Sequence, residues 1–297
     1  MATAASNCIM KIIVLGATGQ IGSIIYNGLR QRHEVIGTSR NHHSDLTQFD
    51  PFQDDWSILG KADILINCVG QIEGKESSFN HVHVELTKHI IENRDVIGAG
   101  KIIQISALGA SSQHPVAFLR TKGIADDLLQ KQPGTVVIRP SIVCTHRTMI
   151  VKKMLLLSRI GRSLLGIVPI PTGFLKTKIQ PVMPKDLLDL VEKMCHHTTH
   201  QIVNAVGPEP ITFKEIIKIM TKARNQSLRL VKVPKVATDV IVKSFIGIIL
   251  PKIINSQQYQ LLFEDNIAYV KVAEEILGRP MTSTREFFIN EFAYASH

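Results

Sequence analysis

The residues with the clearest chemical potential form one short turn, Gly16-Ala17-Thr18-Gly19-Gln20-Ile21-Gly22. It follows the apolar run Lys11–Leu15 and opens Gln20–Arg32, in which Ile21, Ile24, Ile25 and Leu29 recur along one helical face. Glycines allow a tight turn and close approach to the backbone, and a helix N-terminus presents N–H groups that attract phosphate. Strand, glycine turn and helix in that order predict a seat for the pyrophosphate of a dinucleotide. The G-x-x-G-x-x-G spacing, in place of G-x-G-x-x-G, marks a subclass. The alternative is a plain strand-to-helix turn with no ligand.

A second strand, Glu34–Thr38, leads into Ser39 and Arg40. An NAD site wants a carboxylate about 20 residues past the glycines, to bond the ribose 2′-hydroxyl. None stands at positions 36–40. That place holds Thr38 and Ser39, followed by Arg40, whose guanidinium can clamp a 2′-phosphate that a carboxylate would repel, so NADP(H) is expected over NAD(H). The alternative for Arg40 is a solvated surface charge.

These residues need a scaffold, and the first half of the chain supplies its pattern. Ala62–Val69 is a nearly continuous apolar run, as in a strand buried on both faces. His81–Val96 reads as helix, Lys101–Ser106 as strand, Val116–Lys131 as helix and Thr135–Val143 as strand. Strands alternating with helices predict an α/β fold, a doubly wound parallel (Rossmann) sheet over residues 1–150. Prolines then break the rhythm. Residues 151–297 are expected to form a smaller, mostly α C-terminal domain closing over the cofactor. Its helices are read at Thr212–Arg224 and Val270–Leu277, and a segment near 201–206 returns to the sheet.

Composition bounds the rest. The 297 residues are 44% hydrophobic and 5% aromatic, so the core is built from Ile, Val and Leu. The cysteines (Cys8, Cys68, Cys144, Cys195) form no C-x-x-C pair, which fits a reducing, cytoplasmic setting. No stretch approaches the roughly 18–20 apolar residues of a spanning helix, and Met1–Asn7 does not read as a signal peptide. A net charge of +9 suits an anionic cofactor or membrane surface. Nucleic acid is disfavoured, for the chain has no block of basic residues and few aromatics to stack on bases.

Five landmarks together resemble an atypical or extended short-chain dehydrogenase/reductase. They are the glycine turn, Asn67-Cys68-Val69-Gly70, Ser106-Ala107-Leu108-Gly109-Ala110, Phe118-x-x-x-Lys122 and Arg139-Pro140-Ser141. Gln180-Pro181-Val182 and Leu277-Gly278 extend the likeness over most of the chain. Within that superfamily the pattern is similar to the NADPH-binding accessory subunit of respiratory complex I and its bacterial relatives. The resemblance implies that Asp45, Cys68, Val69, Gly70, Ser106, Lys122 and Pro140 join the turn, Ser39 and Arg40 around the cofactor. It also implies shared chemistry by a Ser, a Tyr and a Lys. The Tyr moves the substrate proton, the Ser hydrogen-bonds the same oxygen, and the Lys holds the ribose and lowers the Tyr pKa. Ser106 and Lys122 match, but Phe118 stands at the Tyr position and has no proton to give.

Two functions follow as expectations. One is NADP(H) binding with impaired or no carbonyl reduction. The other is an active NADP-dependent oxidoreductase or isomerase that uses Ser106 and Lys122 with another donor, such as Ser111 or Ser112. Blander readings stand beside them: Ser106 as a turn cap, Lys122 as a solvated charge, Phe118 as pocket wall. Cys195, His196, His197 and His200 have metal-like spacing but read as a polar helix end, so no metal is expected. Val151–Ile170 and Val231–Ile254 mix Lys and Arg with apolar runs. They suit peripheral contact with a membrane or a protein assembly, or the walls and core of the small domain.

Overall fold

The computed structural model describes residues 8–145, 148–163, 166–197, 201–234 and 260–294. Most of the Val231–Ile254 stretch, together with Arg162, Leu164, Leu165 and His200, lies outside the described residues or side chains.

The first part of the chain runs Lys11–Leu15 (β1), Gln20–Leu29 (α1), Glu34–Ser39 (β2), Thr47–Gln48 (β3), Ile64–Asn67 (β4), Glu76–Phe79 (α2), Leu86–Glu92 (α3), Arg94–Ile97 (α4), Lys101–Ile105 (β5), Ala117–Leu129 (α5) and Thr135–Pro140 (β6). A π-helical stretch, Asn80–Glu85, joins α2 to α3. The second part runs Met149–Ser163 (α6), Ile167–Pro171 (β7), Lys178–Ile179 (β8), Pro184–His196 (α7), Gln201–Ala205 (β9), Ile211–Thr212 (β10), Phe213–Ala223 (α8), Arg229–Val233 (β11), Lys271–Leu277 (α9) and Arg285–Tyr294 (α10).

Seven strands form one sheet in the order β3-β2-β1-β4-β5-β6-β9. The neighbours β1 and β2, β1 and β4, β4 and β5, and β5 and β6 pair in parallel. All four residues of β4 are buried, which is why its sequence reads as an unbroken apolar run. The strand order reverses between β1 and β4. In doubly wound sheets, ligands bind outside the carboxyl ends of the strands at that switch point.

The chain forms two compact units and passes between them three times rather than at one cut. The first comprises 1–140 with 187–203, and the second 141–186 with 204–297. In the first unit, Ile13, Leu15, Leu65 and Ile102 from the sheet pack with Phe49, Trp56, Leu86 and Ile90. In the second, Phe174 stacks on Phe213 with ring centroids 4.3 Å apart, in a core shared with Phe288 and Phe292. This unit also holds two small sheets, β10 with β8 and β11 with β7, beside the helices of the expected mostly α domain. Strands this short carry too few residues for a period of two to show.

Candidate nucleotide-binding site

A cleft of about 320 Å³ opens in the first unit at the carboxyl ends of β1, β2 and β4. Leu15, Gly16, Thr18 and Gly19 form its floor, with Thr38, Ser39 and Arg40 on one side and Cys68, Val69, Gly70 and Gln71 on the other. Phe49, Pro51, Phe52, His81, Val82 and Leu86 supply an apolar wall.

The turn is held from two directions. Ala17 N–H donates to Thr38 O (3.0 Å) and Gly19 N–H to Gly16 O (3.0 Å), tying it to β2 and closing it on itself. Gly16 adopts φ +76°, a conformation other residues resist. A β-carbon on Gly22 would lie 2.1 Å from Gly16 O, so α1 reaches this close to the turn only because residue 22 has no side chain. No side chain caps α1 at Gly19. The first N–H groups of a helix lack intrahelical partners and favour an anion there. Uncapped helix start, glycine cradle and apolar cleft together fit the pyrophosphate and adenosine of a dinucleotide.

On the far side, Asn67 Oδ1 accepts from Val69 N–H (3.0 Å), while its amide donates to Gln104 Oε1 (2.8 Å). That pair shapes the bend which carries Cys68, Val69 and Gly70 to the cleft. Burial pushes the Cys68 thiol up to about 12, with the nearby Lys122 acting weakly the other way, so it stays protonated. Ser39 is buried and Arg40 exposed at the rim.

Asp45 stands elsewhere. It precedes β3, is exposed, and its carbonyl accepts from Tyr26 Oη (2.9 Å). The carboxyl end of β3 faces the cleft, so the residues that follow the strand, Phe49, Pro51 and Phe52, line it instead. Gln20, Ile21, Gly22 and Pro140 support the turn and sheet without lining the cleft. Pro140 O accepts from Leu108 N–H (2.9 Å).

Ser106 and Lys122 are both buried, and neither lines the cleft. Lys122 Nζ donates to Ile105 O (3.0 Å) and lies beside Gly70, 3.3 Å from where a β-carbon there would stand. Burial lowers Lys122 to about 8, against the opposing pull of Asp126 and Cys68. Ser106 Oγ donates to Asp126 Oδ2 (2.8 Å), and the same oxygen accepts from Arg139 Nε (2.8 Å). Burial raises the Asp126 carboxyl, with Arg139 and Ser106 acting against it. Phe118 packs edge-on against Phe79 and His83, with ring centroids 6.0 and 5.8 Å away.

His83 and Asp126 are site residues that sequence reasoning missed. His83 lies in the π-helical stretch, its Nδ1 bonded to Thr121 Oγ1 (2.8 Å) and its Nε2 accepting from Gln71 N–H (3.4 Å). Thr121 already donates to Ala117 O (2.9 Å), so His83 Nδ1 carries the proton. Burial, reinforced by Lys122, lowers His83 to about 3 and holds it neutral. Asp126 had one legible signal: it follows Lys122 by four residues, on the same helical face.

Cys195 and His196 end α7 and His197 follows it; there Lys101 Nζ donates to Met194 O (3.1 Å), Cys195 O (2.5 Å) and His197 O (2.5 Å). Among the described residues, no group of His, Cys, Asp and Glu is placed to hold a metal ion. No described helix is long and apolar enough to cross a membrane.

Comparison with known proteins agrees with this geometry. The NAD dependent epimerase/dehydratase family matches residues 12–121, the part that bears the cleft. The chain is 24% identical over 243 residues to the mitochondrial NADH-ubiquinone oxidoreductase 40 kDa subunit of Neurospora crassa, covering 75% of this chain and 62% of that protein. It is 27% identical over 255 residues to the mitochondrial NADH dehydrogenase [ubiquinone] 1 alpha subcomplex subunit 9 of Arabidopsis thaliana, covering 74% and 60%. The matches thus span about 60% of the length of these relatives. Among solved structures, RMD from Pseudomonas aeruginosa complexed with NADPH superposes with a TM-score of 0.66 at 12% identity, over 96% of this chain and 99% of that one. Structures of the same fold are complexed with NAD as well. The chain therefore shares the fold of these structures, and its match to the epimerase/dehydratase family lies over the residues that bear the cleft.

Proposed function

We propose that this chain binds NADP(H) and holds it without carrying out ordinary carbonyl reduction. One observation carries the reading: among the described residues that line the cleft there is no tyrosine. Phe118 occupies the Tyr position, and the Ser106 hydroxyl is committed to a buried carboxylate. Losing a positioned general acid costs typically about 10²–10⁴-fold. His83 is no substitute, since both ring nitrogens are engaged and the ring is neutral.

In this reading the glycine turn seats the pyrophosphate, Lys122 reaches the nicotinamide ribose past Gly70, and the wall of Phe49, Pro51 and Phe52 covers the adenosine half. Bound there, the cofactor supplies hydride chemistry; the chain contributes binding and orientation. Charge adds a partner surface. The second unit has 20 Lys and Arg against 10 Asp and Glu, while the first has 14 against 15. The whole positive excess falls outside the nucleotide-binding unit, which suits an anionic protein or membrane surface. The likeness to respiratory-complex subunits supports an assembly contact.

The cofactor preference is tested by calorimetry. NADPH should bind more tightly than NADH, and Arg40→Ala should remove most of the difference, about 1.5–3 kcal/mol for a charged hydrogen bond. Equal affinity for the two cofactors in the natural protein would contradict the assignment of Arg40.

A further inference from the structure

Asp126, on α5, is a fully buried carboxylate whose engagement is lopsided. Its Oδ2 accepts from Ser106 Oγ, Arg139 Nε and a terminal Arg139 nitrogen, each at 2.8 Å. Its Oδ1, equally buried, makes no hydrogen bond among the described residues. A buried acceptor left unpaired costs about 1–3 kcal/mol unless a nearby charge offsets it. That charge is at hand. Lys122 lies one helical turn earlier on the same face, is itself buried, and interacts electrostatically with Asp126.

The other titratable groups facing Lys122 cannot replace the carboxylate. Cys68, after β4, holds its proton to about 12. His83, from the π-helical stretch, is neutral. Arg139, on β6, is a guanidinium paired with Asp126 and brings no negative charge. Among the described residues, Asp126 is therefore the one negative charge acting on a buried ammonium.

We propose that Asp126 is a positioning residue of the dinucleotide site, supplying the counter-charge that keeps Lys122 protonated beside Gly70 while drawing the Ser106 hydroxyl into the same buried network. The proposal rests on the reading of the cleft as an NADP(H) site. One carboxylate thus does two things at once: it arms the ribose-binding ammonium and it disarms the serine. Lys122 as an ammonium donates to ribose hydroxyls and attracts a polyanion; as an amine it does neither well. NADPH affinity should then hold below pH 8 and fall as pH rises through about 8, where Lys122 gives up its proton.

The test follows NADPH affinity against pH, with the Lys122 ammonium titration read by NMR in the cofactor-free protein. Asp126→Asn keeps the side-chain size and removes the charge. It should move both inflections to lower pH, by roughly 1–3 units. At pH 7.5 its NADPH affinity should be about tenfold below that of the natural protein, and near natural at the acid end. Asp126→Glu, which restores the charge, should return the profile toward natural. Arg139→Gln, which frees Asp126 from its other cation, should move both inflections to higher pH; it decides the matter if Asp126→Asn does not fold. A merely structural role predicts no such opposed shifts. Unmoved Lys122 titration in both variants would overturn the proposal. Shifted titration without NADPH binding at any pH would instead uphold Asp126 as the counter-charge and overturn the cofactor reading beneath it.

Discussion

Gly22→Ala is expected to weaken dinucleotide affinity by roughly 100-fold or more, about 3 kcal/mol, while leaving the sheet folded. The reason is geometric. The added methyl would sit 2.1 Å from Gly16 O, 2.9 Å from Gly16 C and 3.3 Å from Ala17 Cα, all backbone atoms that cannot swing aside. Either α1 moves away or the turn opens, and both spoil the alignment of the helix N-terminus with the phosphates. Calorimetry with NADPH checks the affinity, and circular dichroism checks that the fold survives. Asn27→Ala, on the exposed side of the same helix, is the control and should change neither. Natural affinity in Gly22→Ala would remove the turn from the binding site.

The second large effect concerns acid stability. His83 is buried, with its ring stacked on Phe79 and both nitrogens hydrogen-bonded. Its folded-state value, about 3, lies well below the ordinary 6.5 because burial and Lys122 disfavour the cation. Between those values the unfolded chain binds a proton that the folded chain refuses, so stability must fall as pH drops from about 6.5 toward 3. At about 1.4 kcal/mol per pH unit, the loss amounts to a few kcal/mol. Denaturant unfolding at a series of pH values should show this slope. His83→Gln, which keeps hydrogen-bonding capacity and removes the titration, should flatten it even if its stability at pH 7 is lower. An equally steep slope in His83→Gln would move the cause to the carboxylates.

Much of this site was legible from local sequence. The turn, β1 and the start of α1 are contiguous, so strand, glycines and helical period reinforce one another within about 20 residues. The run of β4 and the return of Gln201–Ala205 to the sheet were visible for the same reason. What escaped depended on distant residues or on misleading punctuation. The apolar wall of the cleft follows β3, a two-residue strand with no period to read, so Phe49, Pro51 and Phe52 were not singled out. The polar end of helix α7 was legible at Cys195 and His196, but its start was not, because Pro181 and Pro184 read as breakers. Yet Pro184 is the first residue of that helix, where a missing N–H costs nothing. The Ser106–Asp126–Arg139 network joins three elements separated by 13 and 20 residues, and no spacing rule announces it. Matching Ser106 and Lys122 to a motif identified the residues, but not that the serine proton is spent on a buried acid.

On the proposed reading the cofactor is held while the proton-transfer machinery is dismantled. Steady-state NADPH oxidation over a panel of ketones and aldehydes, with the protein saturated by NADPH, tests it most directly. No carbonyl-dependent oxidation above the protein-free rate is expected for the natural protein. None is expected for Phe118→Tyr either, because the Ser106 hydroxyl stays on Asp126 whichever ring stands at position 118. Turnover by the natural protein at ordinary enzyme rates, roughly 1–10³ per second, would contradict the account and show that another donor does the work of the missing tyrosine.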